Sequence, residues 1–379
     1  MTAWPGKYVI GLTGNIATGK SVVRKMLEHL GAYGIDADAL GHRAIAKGAP
    51  GYQSVVDTFG RWILAPDGQI DRAKLARLVF SNPEALSSLE EIVHPLVRQA
   101  VDVLARRAKQ EVIVIEAIKL LEGNLHPYCD AIWVTHAPKE VQLSRLIRKR
   151  GMSEEVAWQR INAQSPQEDK LQMANVVIQN EKSFEHTWKQ VLVSWQKTVT
   201  AAESEPEIER VATTLEGDLH VQRAGPQQAA QIAEFITQMS RSKRRLSSED
   251  IMEAFGEKAF LLLLLDKRTV GLLGWQVENL VARIDDVYLR SDISAETAMQ
   301  AMMEKVEQAS RELQCEAALL FLPSALAQQE AVWQRLDYQI RAVKDLGVRA
   351  WQDAARESMP PNTVMLFKQL RKDRVLRPV

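Results

Sequence analysis

The stretch Gly14-Asn15-Ile16-Ala17-Thr18-Gly19-Lys20-Ser21 constrains the fold of this chain more than any other. It follows an apolar, β-rich run, Tyr8 to Thr13, and opens an amphipathic segment, Val22 to Leu30. A strand that turns through two glycines into a helix headed by Lys-Ser is a phosphate-binding P-loop. Glycine lets the backbone curl until successive N–H groups point at phosphate oxygens, and the helix start adds partial positive charge. Gly14 to Val22 are therefore read as the ATP-binding segment. Lys20 reaches the β- and γ-phosphates and the Ser21 hydroxyl ligates Mg²⁺. The bland alternative is a glycine-rich turn with an incidental lysine, and the correct flanks on both sides weigh against it.

Downstream, Val112 to Ile115, Ile132 to Thr135 and Val176 to Ile178 are strand candidates, with Ala32 to Ile35 a weaker one. Helical patterns such as Lys139 to Arg148 alternate with them, which predicts a parallel sheet in a three-layer α/β/α fold. At 379 residues the chain is long enough for two domains. From about Thr198 the chain turns polar and acidic through Glu203, Glu205, Glu207 and Glu209. The domains expected are residues 1–197 and 217–379, with 198–216 as linker. The second half predicts an α+β domain. A strand at Leu219 to Arg223 and two helices precede three antiparallel strands, Phe260 to Asp266, Thr269 to Val277 and Val281 to Leu289. A long helix, Ala295 to Leu313, then leads to strands at Ala317 to Leu322, Tyr338 to Arg341 and Thr363 to Phe367, with helical stretches about the second of these.

Lysine plus arginine (48) equals aspartate plus glutamate (48), so no global field favours nucleic acid or an anionic membrane as partner. Cys129 and Cys315 lie far apart without metal-ligand spacing, as in a reduced cytoplasmic protein. The apolar run Phe260 to Leu265 falls well short of the ~20 residues that span a bilayer and reads as a buried strand.

A P-loop alone does not separate hydrolysis from phosphoryl transfer. Asp36 and Asp38 follow the second strand, which in a doubly wound sheet puts both at the ligand crevice. If the chain stays extended, both point to one side. A carboxylate suits the task of orienting an acceptor hydroxyl and taking its proton. The alternative is a helix-capping pair before Ala39.

Gly11-Leu12-Thr13-Gly14 with the P-loop, followed by Ile35-Asp36-Ala37-Asp38, closely resembles the dephospho-coenzyme A kinase family. Phe59-Gly60, Gly68-Gln69-Ile70-Asp71-Arg72, Leu75, Val79-Phe80, Leu89, His94-Pro95, Arg160-Ile161, Gln164 and Ala174-Asn175-Val176-Val177-Ile178-Gln179-Asn180 continue the match over about residues 7–195. The resemblance implies transfer of the ATP γ-phosphate to the ribose 3′-hydroxyl of dephospho-coenzyme A. It implies Asp38 as base, with Lys20 and Arg145 as its catalytic companions, and Asn180 on the adenine side. Asp36, Arg72, His94, Arg98 and Glu122 fall on the acceptor side, His94 in a loop before proline. Arg145 belongs to a lid whose run Arg148, Lys149, Arg150 is otherwise a solvated basic face. Departures are Ile118 in place of the family's usual proline, Lys119 beside it, Lys149 at a frequent arginine position and Asn175 for aspartate. They leave room for another P-loop small-molecule kinase, or for a regulatory protein that binds nucleotide and an acyl-coenzyme A.

The second half resembles the GNAT acyltransferase fold in its order of elements over about residues 217–370, with Ala331 to Gln339 as the helix and turn near its end. Where such folds carry a glycine-bearing loop for the coenzyme A pyrophosphate, this chain has Arg290-Ser291-Asp292-Ile293-Ser294-Ala295-Glu296. It lacks glycine, and Asp292 and Glu296 oppose an anion. The expectation is a non-catalytic module, with an acyl-coenzyme A as candidate ligand. Tyr338 reads either as a proton donor to a thiolate or as a core tyrosine.

Overall fold

Strands β1 (Tyr8–Thr13), β2 (Tyr33–Asp36), β3 (Val112–Glu116), β4 (Ala131–His136) and β5 (Val176–Gln179) form one sheet in the order β2-β3-β1-β4-β5. Every adjacent pair is parallel. Val9, Ile10, Leu12 and Thr13 of the central strand are wholly buried. A run buried on both faces is what a parallel strand under helices requires. The computed structural model describes residues 3–199, 219–240, 243–266 and 268–371, so the expected linker 198–216 lies almost entirely outside them. The chain divides between Gln196 and Lys197 into two units.

In the first unit the helices are α1 (Lys20–His29), α2 (Ala37–Ala44), α3 (Tyr52–Phe59), α4 (Arg72–Ser81), α5 (Pro83–Arg107), α6 (Lys139–Arg150), α7 (Glu154–Asn162), α8 (Gln167–Gln172) and α9 (Phe184–Thr198). Two local expectations are corrected. The chain does not stay extended through Asp38: Asp36 ends β2 and caps α2, its Oδ1 accepting from the Ala39 N–H at 2.8 Å, so Asp38 lies in the first helical turn. His94 is not in a loop, because α5 runs unbroken through His94 and Pro95. Pro95 removes one helical hydrogen bond and crowds the preceding turn, at about 3 kcal/mol. Burial of Val97, Ala100, Val101 and Leu104 in the following turns offsets it, as does the Asn82 cap on the Glu84 and Ala85 N–H groups.

The second unit is a seven-stranded mixed sheet with strands β6 (Leu219–Arg223), β7 (Ala259–Leu265), β8 (Arg268–Glu278), β9 (Val281–Leu289), β10 (Ala317–Pro323), β11 (Gln339–Ile340) and β12 (Thr363–Gln369). Their order is β11-β12-β10-β9-β8-β7-β6, and β9 with β10 is the one parallel pair. Helices α10 (Ala229–Met239), α11 (Ser248–Ala254), α12 (Ala295–Glu312), α13 (Ser324–Ala327), α14 (Glu330–Arg335) and α15 (Arg349–Ser358) complete it. Met299, Met302, Met303 and Val306 of α12 pack on one face of the sheet, and Trp351, Ala354 and Ala355 of α15 pack against Leu319, Phe321 and Met365. This is the α+β order of elements that the sequence pattern implies. Among the described residues no helix is long and apolar enough to cross a membrane.

Candidate active site

The P-loop conformation follows from its glycines. Gly14 has φ 146° and Gly19 φ 95°, where side-chain-bearing residues are strained. A Cβ on Gly14 would meet Thr135 Oγ1 at 2.4 Å, and one on Gly19 would meet Asn180 Nδ2 at 1.9 Å. The loop is pinned from outside: Ile16 N–H donates to Gln164 Oε1 at 2.6 Å and Asn15 Nδ2 to Ser165 O at 3.1 Å. Lys20 Nζ curls back onto Gly14 O (2.9 Å) and Asn15 O (3.2 Å), and burial lowers its pKa. Gly19 leaves α1 without a side-chain cap, and no acid occupies its first turn, so its leading N–H groups are open to an anion. Ser21 is exposed beside them, Val22 is half-buried, and Ser21 Oγ donates to Glu116 Oε1 at 2.8 Å.

Three carboxylates gather where β2 and β3 end. Asp36 and Glu116 are register partners. Glu116 also accepts from Arg24 Nε at 2.6 Å. Burial, then the neighbouring Glu116, raises the Asp36 pKa to about 6. Asp38 Oδ2 accepts from the Ile118 N–H at 3.1 Å. Burial raises the Asp38 pKa, against the pull of Lys20 and of that N–H. Behind Ile118, its carbonyl accepts from Lys170 Nζ (2.9 Å) and Thr13 Oγ1 (3.1 Å). Lys119 instead pairs with Glu90 at 2.7 Å.

Helix α6 reaches the loop through Arg145, whose Nη1 donates to Ala17 O (3.0 Å) and Nη2 to Asn180 O (2.7 Å). Burial lowers its pKa. Asn180 Nδ2 donates to Thr18 O at 2.9 Å, and its Oδ1 accepts from Thr187 Oγ1 at 3.0 Å. The amide expected on the adenine side thus braces the P-loop. Arg148, Lys149 and Arg150 are exposed, and the charge of Arg150 reaches Lys20. Asn175 Oδ1 accepts from the Ile132 N–H at 2.7 Å, so the amide keeps the acceptor oxygen that an aspartate would offer.

The acceptor-side residues scatter more widely. Arg72 is exposed at the start of α4, and its charge lowers the pKa of His42, one turn beyond Asp38, after burial has done so first. His94 is half-buried in mid-α5. Arg98 lies 5.5 Å over the Tyr128 ring, which packs on Trp4. Glu122 is exposed, accepts from Ser165 Oγ at 3.0 Å and lies 3.5 Å from Lys170. The structure therefore brings Lys20, Ser21, Asp36, Asp38, Arg145 and Asn180 together around the loop, and gives Arg98 to an aromatic pair. Glu116 is the central residue that sequence reasoning kept outside the site, although an acid closing an apolar strand was a readable signal. Arg24 and Lys170 gave none.

In the second unit, Asp292 accepts from Arg268 Nη2 (2.8 Å) and Arg290 Nε (3.2 Å), and Glu296 pairs with Arg335. The negative charge expected there is thus neutralised locally, while the loop still lacks glycine. Tyr338 is 3% exposed in the core, and burial followed by Glu307 raises its pKa well above the ordinary value.

A family model described as dephospho-CoA kinase matches residues 8–186. The dephospho-CoA kinase of Carboxydothermus hydrogenoformans is 44% identical over 196 residues, which cover 50% of this chain and 93% of that protein. Among solved structures, a dephospho-CoA kinase from Campylobacter jejuni is 27% identical with a TM-score of 0.38, covering 50% of this chain and 96% of that one. A GNAT-family acetyltransferase from Staphylococcus aureus is 10% identical with a TM-score of 0.34, covering 40% of this chain and 99% of that one. With a relative at this identity matched over nearly its whole length, the chain belongs to the dephospho-CoA kinase family.

Proposed function

We propose that the first unit transfers the γ-phosphate of ATP to the ribose 3′-hydroxyl of dephospho-coenzyme A, with Asp38 as the base. The observation that carries the site assignment is a carboxylate with one oxygen held by the Ile118 N–H and the other without a protein partner among the described residues, within electrostatic reach of Lys20. The open oxygen takes the proton as the 3′-oxygen bonds to the γ-phosphorus. The bond to the β,γ-bridging oxygen then breaks and ADP leaves. Lys20 and the open N–H groups of α1 hold the triphosphate, Arg145 faces the charge in transit, and Asn180 keeps the loop in shape. Asp36 orients the acceptor, and Arg72, His94, Arg98 and Glu122 are assigned to its binding.

Ser21 would hold Mg²⁺: its hydroxyl lies against the Glu116 carboxylate, whose register partner is Asp36, and hard oxygen ligands of this kind suit the ion. Bound there, the ion would neutralise charge on the triphosphate as the phosphoryl group moves. Incubation with Mg·ATP and dephospho-coenzyme A should give ADP and a 3′-phosphorylated product. Folded, ATP-binding protein that yields no such product sinks the reading. Asp38→Asn should lower kcat by about 10²–10⁴ and leave ATP affinity nearly intact.

The second unit is assigned a non-catalytic role, with an acyl-coenzyme A as the candidate ligand. The burial of Tyr338 supports the first part, since a core phenol cannot reach a thiolate. Titration of the full chain with acetyl-coenzyme A, its kinase site saturated by dephospho-coenzyme A, tests the second: no heat leaves a structural role.

A further inference from the structure

Lys170 is 2% exposed on α8, an unusual place for an ammonium group, and the phosphate chemistry above does not use it. Its Nζ donates to Ile118 O at 2.9 Å, and Thr13 Oγ1 donates to the same carbonyl at 3.1 Å. On the other side of that residue, the Ile118 N–H donates to Asp38 Oδ2 at 3.1 Å. The chain segment just before Lys170 also grips the P-loop, through Gln164 on the Ile16 N–H and Ser165 O on Asn15.

We infer that Ile118 is a backbone positioning element for the Asp38 carboxylate, its N–H aiming the base and its carbonyl clamped by Lys170, so that docking of residues 164–170 on the P-loop also sets the base. The inference deepens the proposed function and rests on Asp38 as the base. A purely structural lysine would need only a neutral hydrogen-bond partner. Here the cation, which also lies 3.5 Å from Glu122, acts through its charge on the reacting centre, favouring the Asp38 carboxylate and opposing the charge of Lys20. The groups that act on Asp38 are Lys20 from α1, Glu116 from β3, Lys170 from α8, the Ile118 N–H, and Asp36 at the start of its own helix. Lys20, Lys170 and the N–H favour the carboxylate, while burial and Glu116 oppose it.

Ile118→Pro removes the N–H and nothing else from this set, and proline is the residue that the family resemblance puts at this position. The acid limb of the kcat–pH profile should then move about one unit to higher pH, because a carboxylate that loses a donor protonates more readily. Lys170→Met should move the limb the same way and lower kcat about tenfold or more at neutral pH, with KM for ATP and acceptor within about twofold. A folded Ile118→Pro protein with an unmoved limb overturns the inference. Should that variant not fold, Lys170→Met decides alone, and a change in KM without a change in kcat or the limb overturns it. Asp38→Asn separates the two layers: retained turnover defeats the base assignment itself. Lost turnover with unmoved limbs in the other variants defeats only the positioning role.

Discussion

Asp36 and Glu116 stand side by side as register partners on the parallel strands β2 and β3, two carboxylates one strand spacing apart at the mouth of the site. Glu116 accepts from Ser21 Oγ and Arg24 Nε. Burial, and then the neighbouring Glu116, raise the Asp36 pKa to about 6 against an ordinary 3.8. In the folded protein it keeps a proton that the unfolded chain releases between those values. Its contribution to stability falls as pH rises from about 4 to 6 and stays low above that. Asp36→Asn keeps a competent helix cap and removes the repulsion. It should add on the order of 1–3 kcal/mol at pH 8 and almost nothing near pH 4, measured by urea unfolding at both pH values. A variant less stable than the parent at pH 8 would count against this account.

Gly19→Ala should abolish ATP binding. The new Cβ would fall 1.9 Å from Asn180 Nδ2 at a backbone φ of 95°, so either Asn180 or the loop must move. The loss should appear as missing nucleotide protection against thermal unfolding, with the unliganded protein still folded.

Arg145→Lys should lower kcat/KM for ATP by about 10–100-fold. One ammonium cannot span Ala17 O and Asn180 O as the guanidinium fork does, and the bridge between lid helix and loop is lost. Steady-state kinetics with ATP varied checks this, and parental values would show that the bridge is dispensable.

Lys258→Met should destabilise the second unit by about 3–5 kcal/mol. Lys258 Nζ holds both oxygens of Asp285 at 2.6 Å and Asp286 Oδ2 at 3.0 Å, all largely buried. Its removal leaves Asp285 without its cation. Denaturant unfolding should show the loss, and the double change of Lys258→Met with Asp285→Asn should recover part of it.

Much of the site was legible because it is local. A P-loop is one continuous segment whose glycines, lysine and serine act on a ligand at its own backbone, so adjacency in sequence is adjacency in space. Asp36 and Asp38 were legible for the same reason, and the family resemblance gave them different roles, but the geometry that parts them was not legible. The cap on Ala39 turns the chain into a helix at that point and parts the two carboxylates. The loop expected at His94 failed because proline was read by its local preference, while the buried face of α5 carries the helix through it.

By itself the sequence determined the phosphate-binding loop, the alternation that makes a parallel sheet, the kinase family and the two-part organisation, each set by short-range pattern or ordered motif. Only the tertiary structure decided which distant groups complete the centre. Glu116 arrives by strand register, Lys170 by the docking of α8, and the Ile118 N–H by the turn after β3. Those placements depend on long-range packing and on hydrogen bonds between segments as much as 162 residues apart, as between Thr18 and Asn180. No local preference encodes them.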